Sequence, residues 1–185
     1  MQAAVENEYV SVADYLAAEA ASEVRHEYLG GLVYAMAGET RAHSQMVGNL
    51  YFALRQHLQG SPCKLYMTDI RVNLSLRDDE YYYYPDIVVT SDPRDTHPRF
   101  VHFPKLIIEI MSPSTQRIDR REKFFAYTTI ESLEEYVLVA QEAREAIVFR
   151  RAAGWRSEKL GGEGAILNLD SMKCSLPLAS IYEGI

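Results

Sequence analysis

Leu106-Ile107-Ile108-Glu109-Ile110-Met111-Ser112-Pro113-Ser114-Thr115 decides how this chain is read. Its first six residues are β-prone and nearly apolar on both faces, the pattern of a strand buried at the centre of a covered sheet. Ser112-Pro113-Ser114-Thr115 breaks the strand. Glu109 is the anomaly. A buried carboxylate is costly unless it is paired, hydrogen-bonded or bound to a metal. Glu109 therefore marks either chemistry or an acid that faces solvent or an arginine.

Working outward, Tyr81 to Thr90 is a β-rich run interrupted by Pro85. Asp86 stands between that proline and Ile87-Val88-Val89, a second carboxylate where a buried strand is expected. Proline suits a strand start or edge. Two carboxylates on neighbouring strands can hold one divalent cation through oxygen; taken alone, Asp86 also reads as a cap beside a turn. Downstream, Asp119 with Glu122 reads as a capping box that opens a helix from about Arg120 to Ile130. Lys123 lies four residues from both Asp119 and Tyr127, on one helix face. An ammonium there can orient an attacking water and offset transition-state charge; its bland alternative is a solvated helix lysine.

The remaining elements alternate. Ser11 with Asp14 predicts a capped helix over roughly Val12 to Ala21, and Gly30-Gly31 predicts a hairpin within His26 to Met36. Met46, Val47, Leu50, Leu54 and Leu58 have helical spacing over Arg41 to Leu58. Lys64 to Met67, Ile70 to Leu76, Glu135 to Ala140, Ala146 to Arg150 and Trp155 to Lys159 read as strands, and Arg77-Asp78-Asp79-Glu80 as a polar turn. The final segment, with Pro177, reads as a small cap on the core. This order predicts an α/β fold, a mixed central β-sheet flanked by helices, within one domain over 1–185.

A hydrophobic fraction of 48% and a charged fraction of 24% are globular values. No apolar stretch is long enough to cross a membrane, and the acidic N-terminus does not resemble a signal peptide, so a cytoplasmic location is expected. Cys63 and Cys174 then read as free buried thiols. The net charge of −7 argues against avid nonspecific DNA binding, yet acids are what a divalent-metal site needs. Phosphate loops, dinucleotide fingerprints, GxSxG elbows and zinc spacings are absent from the sequence.

Here the residues carry a resemblance. Pro85-Asp86 followed by Glu109 resembles the PD-(D/E)xK nuclease superfamily, and more narrowly its Uma family of restriction endonucleases. The matching segments are Glu27-Tyr28-Leu29-Gly30-Gly31, Met36-Ala37-Gly38, His43, Tyr84 to Val89, Ile108 to Thr115, Asp119 to Lys123 with Tyr127, and Glu134 to Val139. They run from about Ser11 to Arg150 and leave 161–185 as a C-terminal extension. The resemblance implies a restriction-endonuclease-like core and Mg²⁺- or Mn²⁺-dependent hydrolysis of DNA. Asp86, Glu109 and the Ile110 carbonyl are then metal ligands. Lys123 takes the catalytic lysine's role, because Met111 stands at the usual lysine position. Glu27 is a further carboxylate of the site and His43 a phosphate or proton-transfer contact; an exposed strand acid and a histidine without a role are the alternatives. A homodimer and a separate target-recognition partner fit such a nuclease. The rival is a catalytically inactive nucleic-acid-binding or assembly module that keeps the fold.

Weaker features remain open. Tyr81-Tyr82-Tyr83-Tyr84 reads as a base-stacking platform, an edge strand or a dimer surface. Arg117, Arg120 and Arg121 form a basic knot, either a phosphate track or a solvated helix start. His97, Arg99, His102 and Lys105 lie in a loop able to flank substrate, and Asp69 with Arg71 reads as a local ion pair.

Overall fold

A computed structural model describes residues 9–112 and 119–185. Helix α1 (Val12–Ala21) leads to the strands β1 (His26–Leu29) and β2 (Leu32–Ala35) and the long helix α2 (Arg41–His57). Strands β3 (Lys64–Met67), β4 (Arg71–Leu76), β5 (Asp79–Tyr83), β6 (Ile87–Thr90), β7 (Phe100–Val101) and β8 (Pro104–Met111) follow. A π-helical turn, Asp119–Lys123, runs into the short helix α3 (Phe124–Tyr127). Strands β9 (Glu135–Ala140), β10 (Glu145–Arg150) and β11 (Ser157–Gly161), the hairpin β12 (Ile166–Leu169) and β13 (Cys174–Pro177), and helix α4 (Leu178–Ile181) complete the chain.

The strands form a five-stranded sheet, β2-β1-β5-β4-β7, and a six-stranded sheet, β11-β10-β9-β8-β6-β3. Each holds one parallel pair, β4 with β7 and β8 with β9, so both are mixed. As its apolar pattern requires, β8 lies inside its sheet. Leu106, Ile108 and Ile110 pack with Met46, Val47, Leu50 and Leu54 of α2. Ile107 and Met111 face a second core with Tyr83, Tyr127 and Tyr136. Strand alternation turns Glu109 to that second face.

Local chemistry explains the element ends. The Ser11 hydroxyl accepts from the Asp14 N–H at 3.2 Å and caps α1. Gly30 and Gly31, at φ 55° and 99°, make a two-residue turn, and a Cβ on Gly31 would come within 2.3 Å of the Tyr9 ring. The Thr40 hydroxyl accepts from the His43 N–H at 3.1 Å and starts α2.

Several expectations need correction. The turn before β5 is only Arg77-Asp78, both at positive φ, so Asp79 and Glu80 belong to the strand. Tyr81 to Thr90 is two strands in two sheets, divided at Tyr84-Pro85-Asp86. Tyr81 to Tyr84 are neither an edge nor a stacking platform, because β5 lies inside its sheet and Tyr82, Tyr83 and Tyr84 are buried. Arg71 does not pair with Asp69, which lies 3.8 Å from Arg25. It is buried instead, its guanidinium within 6.0 Å of the rings of Tyr15, Tyr82, Tyr84 and Phe100. The helix after β8 ends at Tyr127 rather than Ile130. Trp155, at φ 60°, precedes β11 instead of opening it. The strand break at Pro113-Ser114-Thr115, Arg117 and the side chains of Asp119 and Arg120 lie outside the described residues. Both cysteines are free, Cys174 buried and Cys63 half-buried. Among the described residues, no helix is long and apolar enough to cross a membrane.

The last residues are part of the core. Leu167, Leu169, Leu176, Leu178 and Ile181 pack in the α2-side cluster. Buried Glu135 fastens them: it accepts from Arg150 Nε at 2.9 Å and from the N–H groups of Asp170 and Ser171 at 3.1 and 2.8 Å. Glu135→Ala removes the acceptor of the Asp170 and Ser171 amides while Arg150 keeps Glu158 and Asp170, so urea unfolding is expected to show a loss of about 1–3 kcal/mol. A loss no larger than that of an ordinary surface substitution would show that apolar packing alone seats the hairpin.

Candidate active site

Three segments carry the candidate acids. Glu27 comes from β1, Asp86 from the crossing between the sheets, and Glu109 from the inner face of β8. Glu27 and Glu109 are 1% and 3% exposed. The β6–β8 register ends with Ile87 opposite Ile108, one residue from Asp86 on one strand and from Glu109 on the other. Asp86 Oδ2 accepts from the Ile110 N–H at 2.7 Å. The Met111 carbonyl turns the other way and accepts from the Gln141 N–H. Backbone polar groups of successive strand residues alternate in direction. The Ile110 carbonyl therefore faces the Asp86 side.

Lys123 closes the cluster. It is 6% exposed, with Nζ 3.0 Å from Glu27 Oε1 and 3.1 Å from Glu109 Oε1. Tyr127, one α-turn later, donates its hydroxyl to the same Glu109 oxygen at 3.3 Å. The expected shared face of Lys123 and Tyr127 is thus present, reached through a π-helical turn. Glu27 Oε1 also accepts from the Tyr84 N–H at 3.2 Å. Burial, and then the negative charge of Glu27, holds the Tyr83 phenol well above its usual range, so it stays protonated.

His43 joins from the first turn of α2. Its Nε2 lies 2.9 Å from Asp86 Oδ1, and its Nδ1 lies 3.2 Å from Glu39 Oε2. Asp86 is therefore gripped from both sides, by a backbone amide and by an imidazole. A cavity of about 370 Å³ opens where His43 and Asp86 meet. A larger one, about 920 Å³, lies beside Asp92, Arg94, Lys105 and Glu134 and includes none of the five candidate side chains.

The structure thus gathers Glu27, Glu109 and Lys123 directly and couples Asp86 with His43 through hydrogen bonds. It does not bring the His97 loop into these contacts: the His97 ring stacks on Phe100 at 3.5 Å, and Asp95 accepts from the His102 N–H. Arg121 is exposed. Sequence reading missed Glu39, which precedes the Thr40 cap of α2 and so shows no helix periodicity. It missed the Tyr84 amide, which carries no side-chain signal at all.

The donors fit a divalent cation. Two buried carboxylates, Glu27 and Glu109, share one ammonium, and the surplus buried negative charge is costly without a further cation. Oxygen-only donors suit Mg²⁺, Mn²⁺ or Ca²⁺ better than thiophilic metals. Among the described residues no three His, Cys, Asp or Glu side chains form a ready metal-holding group. Two carboxylates with a backbone carbonyl need no third such side chain.

The model of the family Uma2, described as "putative restriction endonuclease", matches residues 12–179. An uncharacterized protein of Synechocystis sp. is 31% identical, over 95% of this chain and 93% of its own length. A second from the same organism is 28% identical, over 89% and 94%. The crystal structure of a "putative nuclease belonging to DUF820" from Anabaena variabilis superimposes with a TM-score of 0.76, over 94% of this chain and 97% of that one. At 15% identity that likeness speaks for the fold.

Lys123→Met would leave Glu27 and Glu109 buried together without their shared cation. Its thermal unfolding is expected to show a stability loss of about 3–5 kcal/mol, as for other broken buried pairs. Added Mg²⁺ or Mn²⁺ should raise the melting temperature of this variant more than that of the wild type. A variant as stable as wild type would remove Lys123 from the cluster.

Proposed function

Because the chain belongs to the Uma2 family of restriction-endonuclease-like proteins, we propose that it is a metal-dependent endonuclease that hydrolyses DNA phosphodiester bonds. The observation that carries this reading is Lys123 Nζ held within 3.1 Å of Glu27 and Glu109, with Asp86 hydrogen-bonded to the Ile110 amide next to Glu109. That is a carboxylate–lysine set on the rim of two sheets.

In this reading Asp86, Glu109 and the Ile110 carbonyl hold Mg²⁺ or Mn²⁺, and Glu27 adds negative charge that favours the cation. A bound cation would supply Lewis acidity toward the scissile phosphate and the attacking water. The chain's own groups do the rest. The Ile110 amide and His43 fix the two Asp86 oxygens, so each keeps a defined lone pair toward the site. The Lys123 ammonium, anchored on Glu27 and Glu109, orients the attacking water and offsets charge building on the phosphate oxygens. Buried Tyr127 steadies Glu109. Met111, the departure from the superfamily pattern, packs in the core with Tyr127, and the lysine role passes to Lys123.

Cutting both strands of a duplex takes two sites, which a homodimer supplies; target choice falls to DNA contacts or to a separate recognition partner. One observation favours the rival, a non-catalytic nucleic-acid-binding module. Lys123 already satisfies Glu27 and Glu109 internally, as a purely structural ion pair would.

Plasmid and oligonucleotide cutting separates the two. With Mg²⁺ or Mn²⁺ the wild type is expected to nick or linearise plasmid. EDTA abolishes this, and Asp86→Ala and Lys123→Ala each fall by at least about 10²-fold, the scale of losing one transition-state stabiliser. Cutting that survives Asp86→Ala would assign it to a contaminant. DNA binding without metal-dependent cutting would establish the module.

A further inference from the structure

The cavity of about 370 Å³ includes none of Glu27, Glu109 and Lys123, yet Asp86 and His43 line it. Its size falls within the roughly 300–1,000 Å³ of small-molecule sites. Met36, Val47 and Met67 make it apolar on several sides. Arg25 lines it too, and its guanidinium is tethered, with Nη1 donating to the Thr68 carbonyl at 2.8 Å and the group 5.9 Å from the Tyr84 ring. Glu39 supplies an acceptor, and Gly48 leaves the α2 side open, since a Cβ there would meet nothing within 4 Å.

The occupant follows from this chemistry. Two carboxylates, Glu39 and Asp86, repel a second phosphate, so the group entering is neutral. Apolar walls with methionine sulfur and a guanidinium suit a flat π-system. A carboxylate acceptor and an arginine donor suit the amino and carbonyl edges of a heterocycle. A phosphodiester held at Asp86 carries such a heterocycle one sugar away. We propose that this cavity receives the nucleobase adjacent to the scissile phosphate, which makes the substrate a nucleic acid whose base is unstacked there. This deepens the nuclease reading and rests on it. A base paired in a duplex cannot enter without leaving the stack, and that cost is least in single-stranded or mispaired DNA. Single-stranded, bulged or gapped DNA is therefore bound and cut in preference to intact duplex.

Fluorescence anisotropy in EDTA tests the cavity apart from the cutting. A short single-stranded oligonucleotide should bind the wild type about ten-fold more tightly than the same strand carrying abasic sites, the scale of one base stacked on protein. Gly48→Leu, which fills the cavity from a helix position where leucine is the better helix former, should erase that discrimination without lowering the melting temperature. Met67→Ala, on a side chain 43% exposed, should weaken it in the same direction. With Mn²⁺, bulged DNA should be cut at least about ten-fold faster than intact duplex. Equal binding of normal and abasic strands, or discrimination retained by a folded Gly48→Leu, overturns the base pocket. Absence of cutting by the wild type overturns the nuclease reading instead, because the EDTA measurement does not depend on it.

Discussion

The Lys123 ammonium is the joint on which the two sheets meet. Glu27 belongs to the five-stranded sheet, Glu109 to the six-stranded one, and Lys123 to the helical turn between β8 and β9. One Nζ lies 3.0 and 3.1 Å from the two carboxylates. None of the three groups would tolerate its burial alone, since an uncompensated buried charge costs several kcal/mol. The sheets are therefore held in one relative position by a requirement that apolar packing does not impose. Apolar side chains slide past each other at small cost, whereas an ammonium between two carboxylates has a defined place.

Once the joint is set, the surrounding residues follow. Tyr127 reaches Glu109 because it lies one α-turn beyond Lys123, and Tyr83 packs edge-on against Tyr127 at 5.3 Å. The Tyr84 amide, at the point where the chain leaves one sheet for the other, is satisfied by Glu27. Asp86 follows two residues later and is caught by the Ile110 amide and by His43. The crossing Tyr84-Pro85-Asp86 thus has its polar groups occupied by the site itself. Positioning of the acids and closure of the fold are the same set of contacts.

Much of this was legible in the sequence, for a specific reason. Glu109 and Asp86 interrupt runs whose neighbours are all apolar, and such interruptions have few inexpensive explanations. The α2 face and the Gly30-Gly31 turn were equally plain, because helical spacing and a paired glycine each admit few alternatives. The division of Tyr81 to Thr90 between two sheets was not legible, since a β-rich run states only that its residues are extended. Nor was the burial of Tyr82 to Tyr84, because tyrosine suits both a core and a surface. Arg71 misled for a related reason: a nearby aspartate is visible in sequence, whereas a cage of four rings drawn from separate segments is not.

The position of the lysine is the sharpest case. Glu109 and Met111 are two apart on one strand and point to the same side, so a lysine at 111 would rise beside Glu109 from the strand itself. Here Met111 packs with Tyr127 and Ala126 in the core, and its bulk supports the helix that delivers Lys123. A lysine at 111 would need its stem in that apolar layer, and Met111 fills it without a charge to place. The π-helical turn Asp119–Lys123 fits the same exchange, since such a turn admits one residue more than an α-turn and so shifts the face on which Lys123 emerges. Methionine in the strand and lysine in the helix are thus two halves of one arrangement.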